Sequence, residues 1–419
     1  MTSLLRSIIL VVALALIGGA IFYLESQKTA RPTDAEVVTV MPRDTSTTTP
    51  DATPIKSEVG PMPAPILPAL SAPSVIAANS FLSQAEKAKK YKLAKEITTP
   101  DGFINTGGDG KPVTIGEYIG KKVVLVDFWT YSCINCQRTQ PFLNAWWSKY
   151  EKDGLVIIGI HTPEFEFEKD FQNVKNAVTE EKIGYPVVLD NDFSTWYAYE
   201  NRFWPRKYLI DIDGYIVYDH IGEGAYAETE KKIQELLAER MAVLNIKNVS
   251  DVIGSGTVSP IDATTQTFAV TSEIYFGAAR NEALGNGQKN ETGLQTLTAP
   301  EKSVNLFPNL FYLSGKWNFT NQYAESRSDE AHISLKYKAK NVFFVASADD
   351  ATQIKITRDG VPLSASFAGD DVRIENEESI VTVKNSKLYK LIEDSSAGEH
   401  VLEITIPEGN LKAFTFTFG

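Results

Sequence analysis

From about residue 81 onward the chain alternates between unbroken apolar runs and stretches with one apolar face. Residues 122–129 and 155–161 are almost continuously apolar, which predicts strands buried on both faces. Residues 133–150 predict a helix, and residues 167–181 an amphipathic one with Phe167, Phe171, Val174 and Val178 on one side. Strands of that kind alternating with helices predict a parallel core sheet. Residues 207–212 and 215–220 predict a hairpin across Asp213-Gly214, followed by a helix over 226–240. Ser80, ahead of Phe81-Leu82-Ser83-Gln84-Ala85-Glu86, predicts an N-cap where folded structure begins. Beyond about Val252 the period shortens to two, as in residues 331–337, 401–406 and 414–418, with Asp359-Gly360 and Ala397-Gly398 as turn signals. An α/β domain followed by an all-β, jelly-roll-like sandwich is expected.

Residues 8–24 are an uninterrupted apolar run behind Arg6, long enough to cross a bilayer. A cleaved signal peptide ending at Gly18-Gly19-Ala20 is the rival reading, but Ile21-Phe22-Tyr23-Leu24 carry the apolar run past that point. No cysteine follows the run, which excludes a lipid-anchored lipoprotein. The following segment is rich in Pro, Thr, Ala and Ser and reads as an extended spacer. The expected organisation is a membrane anchor (1–26), a linker (27–80), an α/β domain (81–250) and a C-terminal β domain (251–419). A single pass through the cytoplasmic membrane would leave both domains on the extracytoplasmic side.

At 419 residues the chain exceeds one hydrophobic core, which agrees with two domains. A net charge of -12 argues against nucleic acid, whose phosphates require clustered Lys and Arg. The chain has only 2 cysteines, Cys133 and Cys136, separated by two residues. That spacing is unlike a scaffold stapled by scattered bridges and falls short of a four-ligand zinc site. Of the 4 histidines only His161 and His220 fall in the domain that holds the two cysteines, so no metal is expected.

The pair lies where the apolar strand Val123–Trp129 passes through Thr130-Tyr131-Ser132 into a helix. A sulfur at a helix N-terminus faces unpaired N–H groups and the positive end of the dipole, which favours thiolate and makes Cys133 the nucleophile. Cys136, one turn on, is placed to resolve a mixed disulfide. Asp127 lies inside the apolar strand, where burial should raise its pKa and fit it to exchange a proton with Cys136. Trp129 is expected to shield the dithiol and contact partners. His161 ends a strand that opens on the same sheet edge, in a capping or packing role rather than a catalytic one.

Val126-Asp127-Phe128-Trp129, then Cys-x-x-Cys, then Pro141, resemble the thioredoxin superfamily and its TlpA-like branch. The run from Leu125 to Cys136, then Ile160-His161-Thr162-Pro163-Glu164-Phe165 and Trp204-Pro205-Arg206-Lys207-Tyr208, is similar to the extracytoplasmic half of DipZ-type proteins. That similarity runs on through Glu273-Ile274-Tyr275-Phe276-Gly277 to the Phe414–Gly419 end. It implies a thioredoxin-like domain, a redox-active Cys133-Cys136 disulfide as the only cofactor, and disulfide-containing extracytoplasmic proteins as partners. It also implies a kink at Pro141, a cis proline at Pro205 that docks substrate beside Trp204, and partner contact through Ile134 and Asn135. Family members carry a polytopic electron-transferring domain, so a separate membrane donor of the CcdA/DsbD type is expected. Reduction of partner proteins, as in cell redox homeostasis and cytochrome c maturation, is the implied direction; Thr139, where many TlpA-like maturation reductases have Glu, departs from that narrower pattern.

Two other functions fit parts of the sequence. Thr130-Tyr131-Ser132-Cys133 has the Thr-x-x-Cys spacing of a thiol peroxidase, but Val126 stands where its proline is expected. A surface-binding protein would use Phe307, Phe311, Tyr312, Trp317 and Phe319 to hold a glycan or protein on the β domain, although such aromatics more often fill a sandwich core.

Overall fold

A computed structural model describes residues 81–108, 110–246, 271–300 and 306–419. The expected anchor, the linker, the Ser80 cap and the boundary near residue 250 lie outside the described residues. Among the described residues no helix is long and apolar enough to cross a membrane.

The first helix, α1 (Gln84–Lys90), starts three residues later than Ser80 would place it. Ser83 caps it in a reciprocal box: the Glu86 N–H bonds the serine hydroxyl and the Glu86 carboxylate accepts the Ser83 N–H. The chain continues through β1 (Lys92–Leu93), β2 (Gly102–Ile104), β3 (Val123–Trp129), α2 (Ile134–Tyr150) and β4 (Leu155–His161). It then forms α3 (Phe171–Glu180), β5 (Val187–Leu189), α4 (Ser194–Ala198), β6 (Arg206–Ile210), β7 (Tyr215–Ile221) and α5 (Tyr226–Val243). The helix expected over 167–181 is divided: a 3-10 turn spans Glu166–Lys169, and Asp170 then caps α3 by accepting the Asn173 N–H.

These strands form one seven-stranded sheet in the order β1-β7-β6-β3-β4-β5-β2. β3 pairs in parallel with β4, and β4 with β5, so the expected parallel core is present, flanked by antiparallel neighbours. Alternation along β3 explains its unbroken apolar run. Val123, Leu125 and Trp129 enter one core with Cys136, Leu143 and Trp146, whereas Val124, Val126 and Phe128 enter another with Trp196 and Tyr208. Asp127 belongs to the first series, on the face that carries Cys136.

Residues 271–419 form an 11-stranded, antiparallel hydrogen-bonded sheet. The expected segments 331–337 and 401–406 are the ends of two long strands, Ala331–Ala348 and Lys387–Ile406, that pair along most of their length. The other edge of Ala331–Ala348 pairs first with Phe311–Phe319 and then with Leu411–Phe418. Ala324–Ser326 bridges those two strands and closes a ring. Phe311, Tyr312, Trp317 and Phe319 are buried core residues, so of the five aromatics considered for a ligand surface only Phe307 is exposed.

Candidate active site

Cys133 is the N-cap of α2 in extended conformation, and its Sγ accepts the Cys136 N–H at 3.3 Å. The same Cys136 N–H also reaches the Cys133 carbonyl at 3.1 Å, so the first turn of the helix closes directly onto this residue. Both cysteines are free thiols; Cys133 is half-buried and Cys136 buried. Burial, reinforced by the neighbouring Cys133 sulfur, pushes the Cys136 thiol well up. The two sulfurs are thus unequal in exposure. Pro141 lies inside α2, which continues past it to Tyr150.

Asp127 is 1% exposed, and burial pushes its carboxyl up to about 7 against the opposing pull of Lys207. Its Oδ1 is buried without a hydrogen-bond partner, leaving an acceptor beside Cys136. Lys207 stands directly opposite Asp127 in the β3–β6 register and is fully buried. Burial lowers its ammonium while the charges of Asp127 and Cys136 raise it, and its Nζ donates to the Gly222 carbonyl at 3.2 Å. The sequence pattern places Lys207 only as the first residue of a hairpin strand. The available signal was a second lone charge inside an apolar strand of the same sheet.

His161 is fully buried between Tyr131, which stacks on it, and the edge of Trp129. Burial holds its imidazole down to about 3, so the ring is neutral and packs. Trp129 is only 3% exposed, which corrects its expected partner contact: it shields the thiols from within the core. Ile134 is corrected too. Most of its side chain is buried against Phe165, Phe343, Val345, Leu388 and Phe414, four of them outside the α/β domain's sequence, and the small exposed remainder lines the cleft in front of Cys133. Beside it, the Tyr131 hydroxyl donates to the Ser386 carbonyl at 3.1 Å. The Asn135 carbonyl accepts the Thr139 hydroxyl at 2.9 Å, and Thr139 is fully buried.

The Trp204-Pro205 bond is cis. Pro205 is buried and its carbonyl accepts the Gly222 N–H at 2.8 Å, so the surface here comes from the two residues before it. Trp204 is tied to the end of β4 by its Nε1–H to the Thr162 carbonyl at 3.0 Å, and Phe203 is exposed. Both line a cleft of about 410 Å³ together with Cys133, Asn135, Tyr275 and Arg280. The β-rich domain therefore supplies one wall of the space in front of Cys133.

Glu168, which falls within the segment predicted as an amphipathic helix, is fully buried behind the Cys133 loop. It accepts the Ser132 hydroxyl at 2.6 Å and the Phe165 N–H at 2.9 Å.

Residues 86–237 match the Redoxin family, and residues 271–419 match the family described as thioredoxin like C-terminal domain. Thiol-disulfide oxidoreductase YkuV of Bacillus subtilis is 32% identical over 144 residues, which is 34% of this chain and 93% of that protein. The chain belongs to the thioredoxin-like thiol-disulfide oxidoreductases. Thiol-disulfide oxidoreductase ResA of Bacillus cereus, another relative, is 30% identical over 35% of this chain and 80% of its own length. Protein DipZ of Mycobacterium tuberculosis is 34% identical over 327 residues, 77% of this chain. This oxidoreductase spans 43% of the length of DipZ, and the match is long enough to include both domains.

Proposed function

We propose that the chain is an extracytoplasmic thiol-disulfide oxidoreductase that reduces disulfides of partner proteins through Cys133 and Cys136. The observation that carries this reading is the unequal pair: a half-exposed sulfur at a helix N-terminus above a buried one, with the Asp127 carboxyl on the same face of the sheet. The Cys133 thiolate attacks one sulfur of the partner disulfide, forming a mixed disulfide and releasing a partner thiolate that takes up a proton. Cys136 then gives its proton to Asp127 and attacks the Cys133 sulfur. The second partner thiolate leaves and collects that proton. Two electrons and two protons pass to the partner, and Cys133-Cys136 becomes a disulfide.

Lys207 is the counter-charge that lets Asp127 ionise at all in a buried site, holding its titration near neutrality. Phe203 and Trp204 on one side, with Tyr275 and Arg280 on the other, are assigned to hold the partner segment. Reoxidised protein is assigned to reduction by a membrane electron donor, and the protein to a single-pass anchor; the similarity to DipZ and the apolar run at 8–24 support both. Insulin reduction by the purified protein tests the function. Cys133→Ser should abolish it, and Cys136→Ser should accumulate mixed disulfides with partners in membranes. Full insulin reduction by the Cys133 variant would overturn the assignment.

A further inference from the structure

We propose that Glu168 is a positioning residue for Cys133, and that through it the seating of the β-rich domain governs how fast Cys133 reacts. This rests on the assignment of Cys133 as the nucleophile. Glu168 does not touch the reacting sulfur. Its Oε1 accepts the N–H and hydroxyl of Ser132, the residue before Cys133, at 3.3 and 2.6 Å. Its Oε2 accepts the N–H groups of Glu164 and Phe165 at 2.6 and 2.9 Å. One carboxylate, fully buried, thus joins the nucleophile loop to the turn after β4.

That turn is where the β-rich domain is seated. The Glu164 carboxylate accepts from the Tyr275 hydroxyl at 3.0 Å and from Arg280 at 2.7 Å, and the Glu166 N–H donates to Gln322 Oε1 at 2.9 Å. Phe165 and Phe167 both pack edge-on against Phe414, with ring centroids 5.1 and 4.8 Å apart. A buried carboxylate is tolerated where donors surround it, and here each oxygen is engaged by two. Any shift of the turn is therefore transmitted to Ser132, and from there to the N-cap where Cys133 Sγ meets its N–H donor. A glutamine in its place would turn an amide NH2 toward one pair of donors and break half of the bridge.

The test uses the full chain with Cys136→Ser, so that one thiol remains, and follows alkylation by iodoacetamide across a range of pH. Glu168→Gln should slow alkylation at neutral pH roughly tenfold, with the rate recovering as the pH is raised, because the thiolate has lost its N-cap donor. Glu168→Asp, which keeps the charge, should recover part of the rate. Arg280→Ala, an exposed change at the seat, should slow it roughly twofold to threefold and have no added effect in the Glu168→Gln background. A folded Glu168→Gln protein with an unaltered pH profile overturns the proposal, as does an Arg280→Ala effect of equal size in both backgrounds. Should Glu168→Gln fail to fold, an unaltered profile for Arg280→Ala overturns it alone. Alkylation needs no disulfide substrate, so failure to reduce insulin would sink the reductase reading and leave this one standing.

Discussion

At the scale of single residues, the proposed chemistry turns on Asp127. Its carboxyl is raised from an ordinary 3.8 to about 7, so the uncharged form contributes stability that is full below 3.8 and lost as the pH rises through about 7. Asp127→Asn should therefore gain on the wild type across that window by up to about 4 kcal/mol, measured by urea unfolding at a series of pH values. The wild type should show a rise in mixed-disulfide resolution near pH 7, and the same variant should remove it. Lys207→Met should move that rise to higher pH and slow resolution at neutrality, since the lysine is the group that lowers Asp127; an unmoved profile would show that its charge is not felt. Asp127, Cys133 and Cys136 were legible in the sequence because each is anomalous within its own element. Lys207 was not, since its meaning depends on standing opposite Asp127 in an antiparallel register between residues 80 positions apart.

At the scale of elements, α1 is joined to the domain chiefly through a buried amine, with Gln84 Nε2 also donating to Asp213 at 2.8 Å. Lys87 Nζ lies 2.7 Å from Asp211, 2.6 Å from Asp213 and 2.6 Å from Glu239, so it gathers the β6–β7 turn and α5 onto the first helix. The three acids have the proximity of a cation site, and the lysine ammonium sits among them. Lys87→Met should leave buried carboxylates uncompensated and cost about 3–5 kcal/mol in urea unfolding. An unchanged midpoint would mean the acids are neutralised some other way. The strands Val123–Trp129 and Leu155–His161 were readable in advance because burial on both faces demands a continuous apolar run. The division of the 167–181 segment was not: its apolar spacing suits a helix, but Glu168 leaves that pattern to bond the Ser132 loop, and Asp170 restarts the helix with its own cap.

At the scale of the whole molecule, the β-rich domain covers one side of the redox motif. Phe414 packs against Phe165, Phe167 and Tyr323 in the same cluster that buries Ile134. Phe414→Ala should cost about 3–5 kcal/mol of stability and make the protein cleave more readily under limited proteolysis. If neither changes, the cluster contributes little to holding this face. The proposed partner segment would approach Cys133 from the open side, where Phe203, Trp204, Tyr275 and Arg280 line the cleft.

By itself the sequence determined the family and the succession of an α/β and a β-rich domain, and it singled out Cys133, Cys136 and Asp127 as candidates. The candidates rest on spacing and periodicity within a few tens of residues, the family on a resemblance that runs through both domains. Only the tertiary structure decided that Ile134 is buried, that Trp129 is sealed in, that Lys207 faces Asp127, and that Glu168 bridges the nucleophile loop to the seat of the second domain. Those relations join positions far apart in the chain through a register or a packed interface, and no local pattern of residues carries that information.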